Sequence, residues 1–272
     1  MASETTNPAL RDLLEFIEAE LNFSTSFYND SYLERRISAR IRRREEAEDY
    51  SDYLGLLQRD DDEHEALLDS LSINVTSFFR NPEMWEQLRP ILRELSATNR
   101  KVRVWSAPCS DGREPYSLAM LAIDDDEIDH SRLSILGTDI SQDALDAARQ
   151  GEYETTRTTD IEDELAPLGG HEPYLDRDGN RFTVNQRVKT LVNFERHDLI
   201  NDDPPGEFEL VLSRNLLIYI AAEFKEPIFE TLTAALRPEG YLIIGMTETL
   251  PSDYRSRYEA VEKSARIHRK VD

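Results

Sequence analysis

One cysteine, five lysines and ten glycines among 272 residues set the first limits on this chain. A lone Cys109 excludes an internal disulfide and any metal site built from several cysteines. The histidines, His64, His130, His171, His197 and His268, show no ligand spacing, so no metal is expected. No apolar run approaches the roughly 18 residues of a membrane span, and no basic-then-apolar leader pattern opens the sequence. The expectation is a cytoplasmic protein with no membrane-inserted segment. Of 32 basic residues only five are lysine, against 55 acidic ones, and the formal net charge is −23. Such an acid excess favours solubility and argues against nucleic acid or an anionic membrane as partner. Abundant acid with scarce lysine also suits a salt-rich medium, where ions screen the self-repulsion.

What is present is enough for a core: 39% of residues are hydrophobic, and the length suits a small domain followed by a larger one. Residues 1–72 read as all-helical. Leu10, Leu13, Leu14, Ile17 and Leu21 recur at helical spacing, then Leu33, Ile37 and Ile41, and the pattern continues to Leu71. Residues 73–81 lose that period and read as a connecting segment ending at Asn81-Pro82, an N-cap and the proline of a first helical turn. Residues 82–272 form the second domain. There, strands at 101–107, 133–138, 209–213 and 241–245 alternate with helices at 114–123, 141–149 and 221–236. This alternation predicts an α/β fold with parallel strands. Residues 151–197 interrupt it as a small β insertion, with a hairpin signal at Asp178-Gly179 and strands at Arg181 to Val184 and Val188 to Phe194. Tyr258 to Lys270 is expected to add a final edge strand.

The stretch Val102 to Met120 runs as strand, loop and helix, and the next strand ends on Asp139, near the spacing of a ribose-binding acid. The loop has one glycine where a pyrophosphate fingerprint needs three, and Glu114 at the helix start would repel phosphate. A ligand carrying adenosine, no phosphate and a positive charge fits better, which points to S-adenosylmethionine. Asp139 offers two acceptor oxygens to the ribose hydroxyls; capping the helix that starts near Ser141 is the plainer role. Glu114 suits the ligand's α-ammonium, or simply complements the helix dipole. Arg214-Asn215 close a strand at the sheet's carboxyl edge, where ligands bind. Cys109, with no histidine near it in sequence, reads as a packing residue.

Five motifs in order carry a resemblance. They are Asn74-Val75-Thr76-Ser77-Phe78-Phe79-Arg80, Cys109 to Ser117, Gly137-Thr138-Asp139-Ile140, Ser213 to Tyr219, and Gly240 to Gly245 with Glu248. Together they make the chain similar to the CheR-type chemotaxis receptor methyltransferases over nearly its whole length. The resemblance implies a class I methyltransferase (Rossmann-like) sheet behind a helical N-terminal domain. It implies S-adenosylmethionine as cofactor and protein-glutamate O-methylation of the cytoplasmic coiled-coil of a chemoreceptor. The family's cofactor contacts fall on Asn74, Thr76, Arg80, Glu114, Asp139, Asp198, Leu199, Arg214 and Asn215. Pro108 and Asp111 replace the family's usual glycine and threonine, Arg113 stands where a second glutamate is common, and Asp198 replaces an asparagine.

Two residues are candidates near the reacting groups: Arg80, to orient the substrate carboxylate or hold a cofactor oxygen, and Tyr219, to face the transferred methyl or simply close the core. A glutamate of ordinary pKa, about 4.3, is already ionised and nucleophilic at neutral pH, so no general base is expected. Positioning and exclusion of water carry the reaction instead. Six arginines fall between positions 35 and 44; Arg36, Arg40, Arg43 and Arg44 are expected to share one helical face as a substrate-binding stripe for an anionic partner, the receptor helices. A monomer is expected. The alternative is a non-catalytic cofactor- or receptor-binding module of the same fold.

Overall fold

The computed structural model describes residues 7–21, 23–71 and 76–271. They form two compact units. One holds the described residues up to 71 together with Tyr219–Lys225; the other holds 76–218 and 226–271.

The first unit contains α1 (Pro8–Leu21), α2 (Asp30–Ile41), α3 (Tyr50–Leu57) and α4 (Asp61–Leu71). Its core gathers the apolar stripe of each helix: Leu10, Leu13 and Ile17, then Leu33 and Ile37, then Tyr53 and Leu57, then Leu67 and Leu71. Side chains stop the backbone from fraying at two helix starts. Asn29 Oδ1 accepts from Tyr32 N at 2.9 Å, and Asp49 accepts from Ser51 N and Asp52 N. Tyr219–Lys225 joins this unit through an antiparallel bridge between Tyr28 and Ile220 and a ring contact of Phe27 with Phe224.

The expected face of four arginines does not form. Helix α2 ends at Ile41, so Arg43 and Arg44 lie in the following turn. Arg40 gives a two-pronged hydrogen bond to Glu63, 2.7 Å at each nitrogen, and Tyr53 donates to the same carboxylate at 2.6 Å. Arg44 pairs with Asp60 at 2.8 Å and with Glu63 at 3.3 Å. The reason is burial: the Glu63 side chain is 1% exposed, and a carboxylate withdrawn from water requires cations.

The second unit begins with α5 (Pro82–Thr98), β1 (Val102–Ser106), α6 (Arg113–Asp124), β2 (Leu133–Asp139) and α7 (Gln142–Gln150). A small sheet follows from β3 (Glu152–Glu154), then α8 (Ile161–Glu164), β4 (Leu175–Asp178) and β5 (Arg181–Val184). After α9 (Gln186–Lys189) come β6 (Val192–Arg196), β7 (Phe208–Ser213), α10 (Ala222–Ala235, in this unit from Glu226 onward), β8 (Leu236–Ile244), β9 (Tyr258–Glu262) and β10 (Ile267–Lys270). Among the described residues the main sheet has seven strands in the order β6-β2-β1-β7-β8-β10-β9. The first five strands run parallel, while β10 is antiparallel to both its neighbours. The order β3-β5-β4 forms a separate antiparallel sheet, the insertion. Phe78 and Phe79, from the connecting stretch, are buried in the core of this unit beside Trp85 and Tyr116.

Two strand expectations change. Val188 to Phe194 is not one strand of the insertion: Val188 lies in α9, whose start Asn185 caps at 3.2 Å, and β6 belongs to the main sheet as the parallel partner of β2. The hairpin at Asp178-Gly179 instead pairs β5 with β4, from Leu175↔Val184 to Asp178↔Arg181. The C-terminal stretch is a hairpin of two strands, because only a reversal lets Ile267 bury against Ile243 while Glu259 stays in water. Among the described residues, no helix is long and apolar enough to cross a membrane.

Candidate active site

Parallel β2, β1 and β7 bring their carboxyl ends to one edge of the sheet, the position where α/β folds bind ligands. The loop after β1 is pinned there by its own backbone. Cys109 N donates to Thr138 O at 2.8 Å, and Gly112 N closes the turn on Cys109 O at 3.0 Å. Gly112 has φ +88°, and a Cβ at that position would stand 2.9 Å from Ala148 Cβ, so only glycine lets the loop pass.

Asp139 ends β2 with both carboxylate oxygens engaged by backbone. Ser110 N donates to Oδ2 at 2.8 Å and Ser141 N to Oδ1 at 3.0 Å. Ile140 N–H also bonds this carboxylate, whose roughly four acceptor positions leave room for a further donor. The helix cap is a different residue: Ser141 Oγ accepts from Ala144 N at 3.2 Å. Burial holds the Asp139 carboxyl above the usual range despite these bonds. The Cys109 thiol is pushed up by burial and then by Asp139 and Glu114, so it stays protonated and is a packing residue.

Glu114 and Arg214 meet each other. Arg214 Nη1 donates to Glu114 Oε2 at 2.9 Å, while Ser106 Oγ donates to Oε1 at 2.9 Å. The Arg214 side chain is 2% exposed, and its other fork nitrogen donates to Arg80 O and Asn81 Oδ1, both at 2.9 Å. Asn81 is the N-cap residue of α5 ahead of Pro82, as expected, but its side chain makes no cap bond; it sits at φ +59° with its Oδ1 turned to the buried cation, which needs an acceptor more than the helix end does. Arg80 O also accepts from Trp85 Nε1 at 3.1 Å. Thr76 lies on the same segment, with its carbonyl taking Arg113 Nη1 at 3.3 Å.

Asn215 follows at φ +62°, held by Glu248: its N–H donates to Oε2 at 3.1 Å. Among the described residues six non-glycines have positive φ, and four of them (Phe79, Asn81, Ser110 and Asn215) belong to these segments. Strain of that kind persists only where surrounding contacts over-determine it. Asp198 is occupied locally: its carboxylate accepts from Ile200 N at 2.9 Å, Asn201 N at 3.3 Å and Asn201 Nδ2 at 2.8 Å. Leu199 beside it is buried.

The structure thus brings together Thr76, Arg80, Glu114, Arg214 and, through Glu248, Asn215; Asp139 reaches the same loop through Ser110. Tyr219 falls in the helical unit, its ring 4.8 Å from that of Tyr32. Asn74 lies outside the described residues. Sequence reasoning missed Glu248 as a backbone anchor and Arg113 as a contact centre. Glu248 carried one signal, an acid three residues beyond Gly245 at a strand end; Arg113 carried only its cationic charge at a helix start.

The family model for the CheR methyltransferase SAM binding domain matches residues 74–267, and that for the CheR methyltransferase all-alpha domain matches residues 8–72. The chain belongs to the CheR methyltransferase family. It is 32% identical to the chemotaxis protein methyltransferase of Listeria monocytogenes over 251 residues, 90% of this chain and 93% of that one. To the chemotaxis protein methyltransferase 1 of Pseudomonas aeruginosa it is 35% identical over 218 residues, 75% and 76% of the two chains. CheR methyltransferases use S-adenosylmethionine, and the donor set here fits it. Acids at the strand ends suit hydroxyl and ammonium donors, and a loop with Gly112 as its one glycine, beside three carboxylates, is hostile to pyrophosphate.

Proposed function

We propose that this chain methylates glutamate side chains on the cytoplasmic coiled-coil of chemoreceptors, as a protein-glutamate O-methyltransferase acting in the cytoplasm during chemotactic adaptation. The carrying observation is Asp139, a strand-end carboxylate whose two oxygens are fixed by backbone N–H groups and keep acceptor capacity to spare. That is the acceptor pattern for a ribose diol with no phosphate beside it. S-adenosylmethionine supplies a methyl group activated on sulfur.

The rest falls to this chain's own groups. Asp139 holds the ribose, with Leu199 and Asp198 beside the adenine. Asp198 offers only acceptors and already takes three local hydrogen bonds, so its contribution is the shape of the turn. Glu114, held in place by Arg214 and Ser106, presents a fixed carboxylate to an ammonium. Thr76 and Asn215 supply neutral polar contacts. Arg80 presents the guanidinium that orients the substrate carboxylate. No residue abstracts a proton, because the substrate carboxylate is ionised well above its ordinary pKa of about 4.3.

Arg36 and Arg43 carry the receptor-facing charge in this reading, since Arg40 and Arg44 hold acids of their own unit. Reversing both to Glu is expected to lower receptor methylation roughly tenfold while cofactor affinity stays unchanged. Incubation with labelled cofactor and receptor cytoplasmic fragments tests the whole reading. Alkali-labile label, expected of a methyl ester, supports it. Cofactor binding with no transfer to any receptor fragment would mean a binding module of the same fold.

A further inference from the structure

Arg113 opens helix α6, where a cation opposes the helix dipole at a typical cost of about 0.3–1 kcal/mol. A residue that breaks a local rule in this way signals compensation nearby. The compensation is a set of contacts from three separate parts of the chain. From the loop after β1, Asp111 pairs with Arg113 Nε at 3.2 Å. From the insertion, Glu164 pairs with Nη1 at 3.5 Å, and the Tyr153 ring lies 5.0 Å from the guanidinium. From the segment before α5, Thr76 O accepts from Nη1 at 3.3 Å and the Phe78 ring lies 5.7 Å away.

The partners are cross-tied as well. Glu164 Oε2 accepts from Phe78 N at 2.9 Å, and Tyr153 OH donates to Asp111 O at 2.7 Å. The Arg113 side chain is 14% exposed, so solvent screens these interactions weakly. Burial pushes the Asp111 and Glu164 carboxyls up, and the guanidinium opposes that push on both. One planar cation is therefore a common centre for the three stretches, which Glu164 and Tyr153 also tie in pairs.

Two of those stretches carry the cofactor contacts proposed above. The first leads from Thr76 to Arg80; the second includes Ser110, which donates to Asp139. We propose that Arg113 is a positioning residue for the methyl-donor site, locking the β insertion and the Thr76–Arg80 segment onto the loop after β1. Arg113 acts through its neighbours and not on the reacting atoms. Because Glu164 belongs to the insertion, the state of the insertion is felt at the cofactor site through this side chain and through the ties of Glu164 to Phe78 N and of Tyr153 to Asp111 O. The inference rests on the assignment of Thr76 and Asp139 as cofactor contacts.

Calorimetric affinity for the spent thioether, S-adenosylhomocysteine, is measured together with KM and kcat on the full chain. The variants are Arg113→Met, Arg113→Lys, Glu164→Gln and the double variant, with Asp139→Ala as control. Arg113→Met is expected to weaken thioether affinity and raise the cofactor KM by about tenfold, with kcat at saturation within about threefold of the parent. Glu164→Gln shifts the same quantities by roughly threefold to fivefold, and the double variant is no worse than Arg113→Met by more than about twofold, as one network requires. Arg113→Lys restores part of the affinity, because it keeps the charge but loses the planar fork.

Parental affinity in Arg113→Met with only a lower melting temperature overturns the proposal, as do losses that add fully in the double variant. If Arg113→Met does not fold, parental affinity in both Glu164→Gln and Arg113→Lys overturns it equally. Asp139→Ala separates the two layers. Undiminished thioether binding there defeats the site assignment itself, whereas its loss alongside intact binding in the Arg113 variants defeats only the positioning role.

Discussion

The side chain of Glu248 accepts hydrogen bonds from the backbone N–H groups of Gly245, Leu217 and Asn215 at 2.6, 2.8 and 3.1 Å. These donors come from the ends of β7 and β8, so one carboxylate fixes the turn that leads from Arg214 past Asn215. Burial pushes this carboxyl up and the backbone bonds pull it down, with burial the larger effect. Gly245 must lack a side chain, since a Cβ there would lie 2.8 Å from Asn215 N. Glu248→Gln replaces one acceptor oxygen with an amide N–H that faces a backbone N–H. The expected loss is about 2–3 kcal/mol in urea unfolding, with weaker cofactor binding because Asn215 shifts. Cys109 gives a simpler test at this scale. Its thiol is buried and pushed up, so it should resist alkylation at pH 8 in the native protein and react once urea unfolds the chain.

Among elements, the pairing of α2, α3 and α4 rests on a carboxylate as much as on leucines. Glu63 of α4 takes Arg40 of α2 and Tyr53 of α3 at once. Burial pushes the Glu63 carboxyl up, but bonds from Arg40 and Tyr53 outweigh it, and the result lies below the ordinary value. The sign follows directly. A carboxyl depressed in the folded state contributes stability above its unfolded pKa, and that contribution is lost as pH falls through the folded one. Glu63→Gln should therefore lower stability by about 2–3 kcal/mol at pH 7, with Arg40 left against an uncharged amide. The gap between variant and parent should close as pH drops below about 4. Urea midpoints at pH 7, 5 and 3.5 measure it; a gap constant across that range refutes the depressed carboxyl. Carboxyls raised by burial, such as Glu248, act in the opposite direction but equally in both proteins.

At the scale of the whole molecule, the net charge of −23 is spread over a surface where ion pairs satisfy only part of the acid. Examples are Arg269 with Glu259 at 2.8 Å and Arg132 with Asp129 at 2.7 Å, both exposed pairs worth little singly. Self-repulsion among the remaining acids falls with the Debye length, from about 10 Å at 0.1 M salt to about 3 Å at 1 M. The unfolding midpoint should rise steadily between those concentrations. A flat or falling midpoint would show that the acid excess is not an adaptation to salt. The same field repels nucleic acid and leaves the arginines around α2 as a local exception.

Several features could be read from residues alone, because they rest on local rules. Helical spacing in 1–72, the alternation of strand and helix after Lys101, and the strand-end position of Asp139 each follow from period and neighbouring turn chemistry. The single glycine of the loop, together with Glu114, already separated a sulfonium nucleoside from a pyrophosphate. Tertiary structure decided what depends on partners distant in sequence. Whether Arg40 faces solvent depends on Glu63, 23 residues away, and whether Arg214 faces a ligand or Glu114 depends on a contact spanning 100 residues. Strand β6 joined the main sheet because β2 offered it a parallel edge, which no feature of 188–194 encodes. Periodicity reports which face is apolar; only the folded chain settles which buried charge meets which, because that choice is made by desolvation at contacts the sequence does not place side by side.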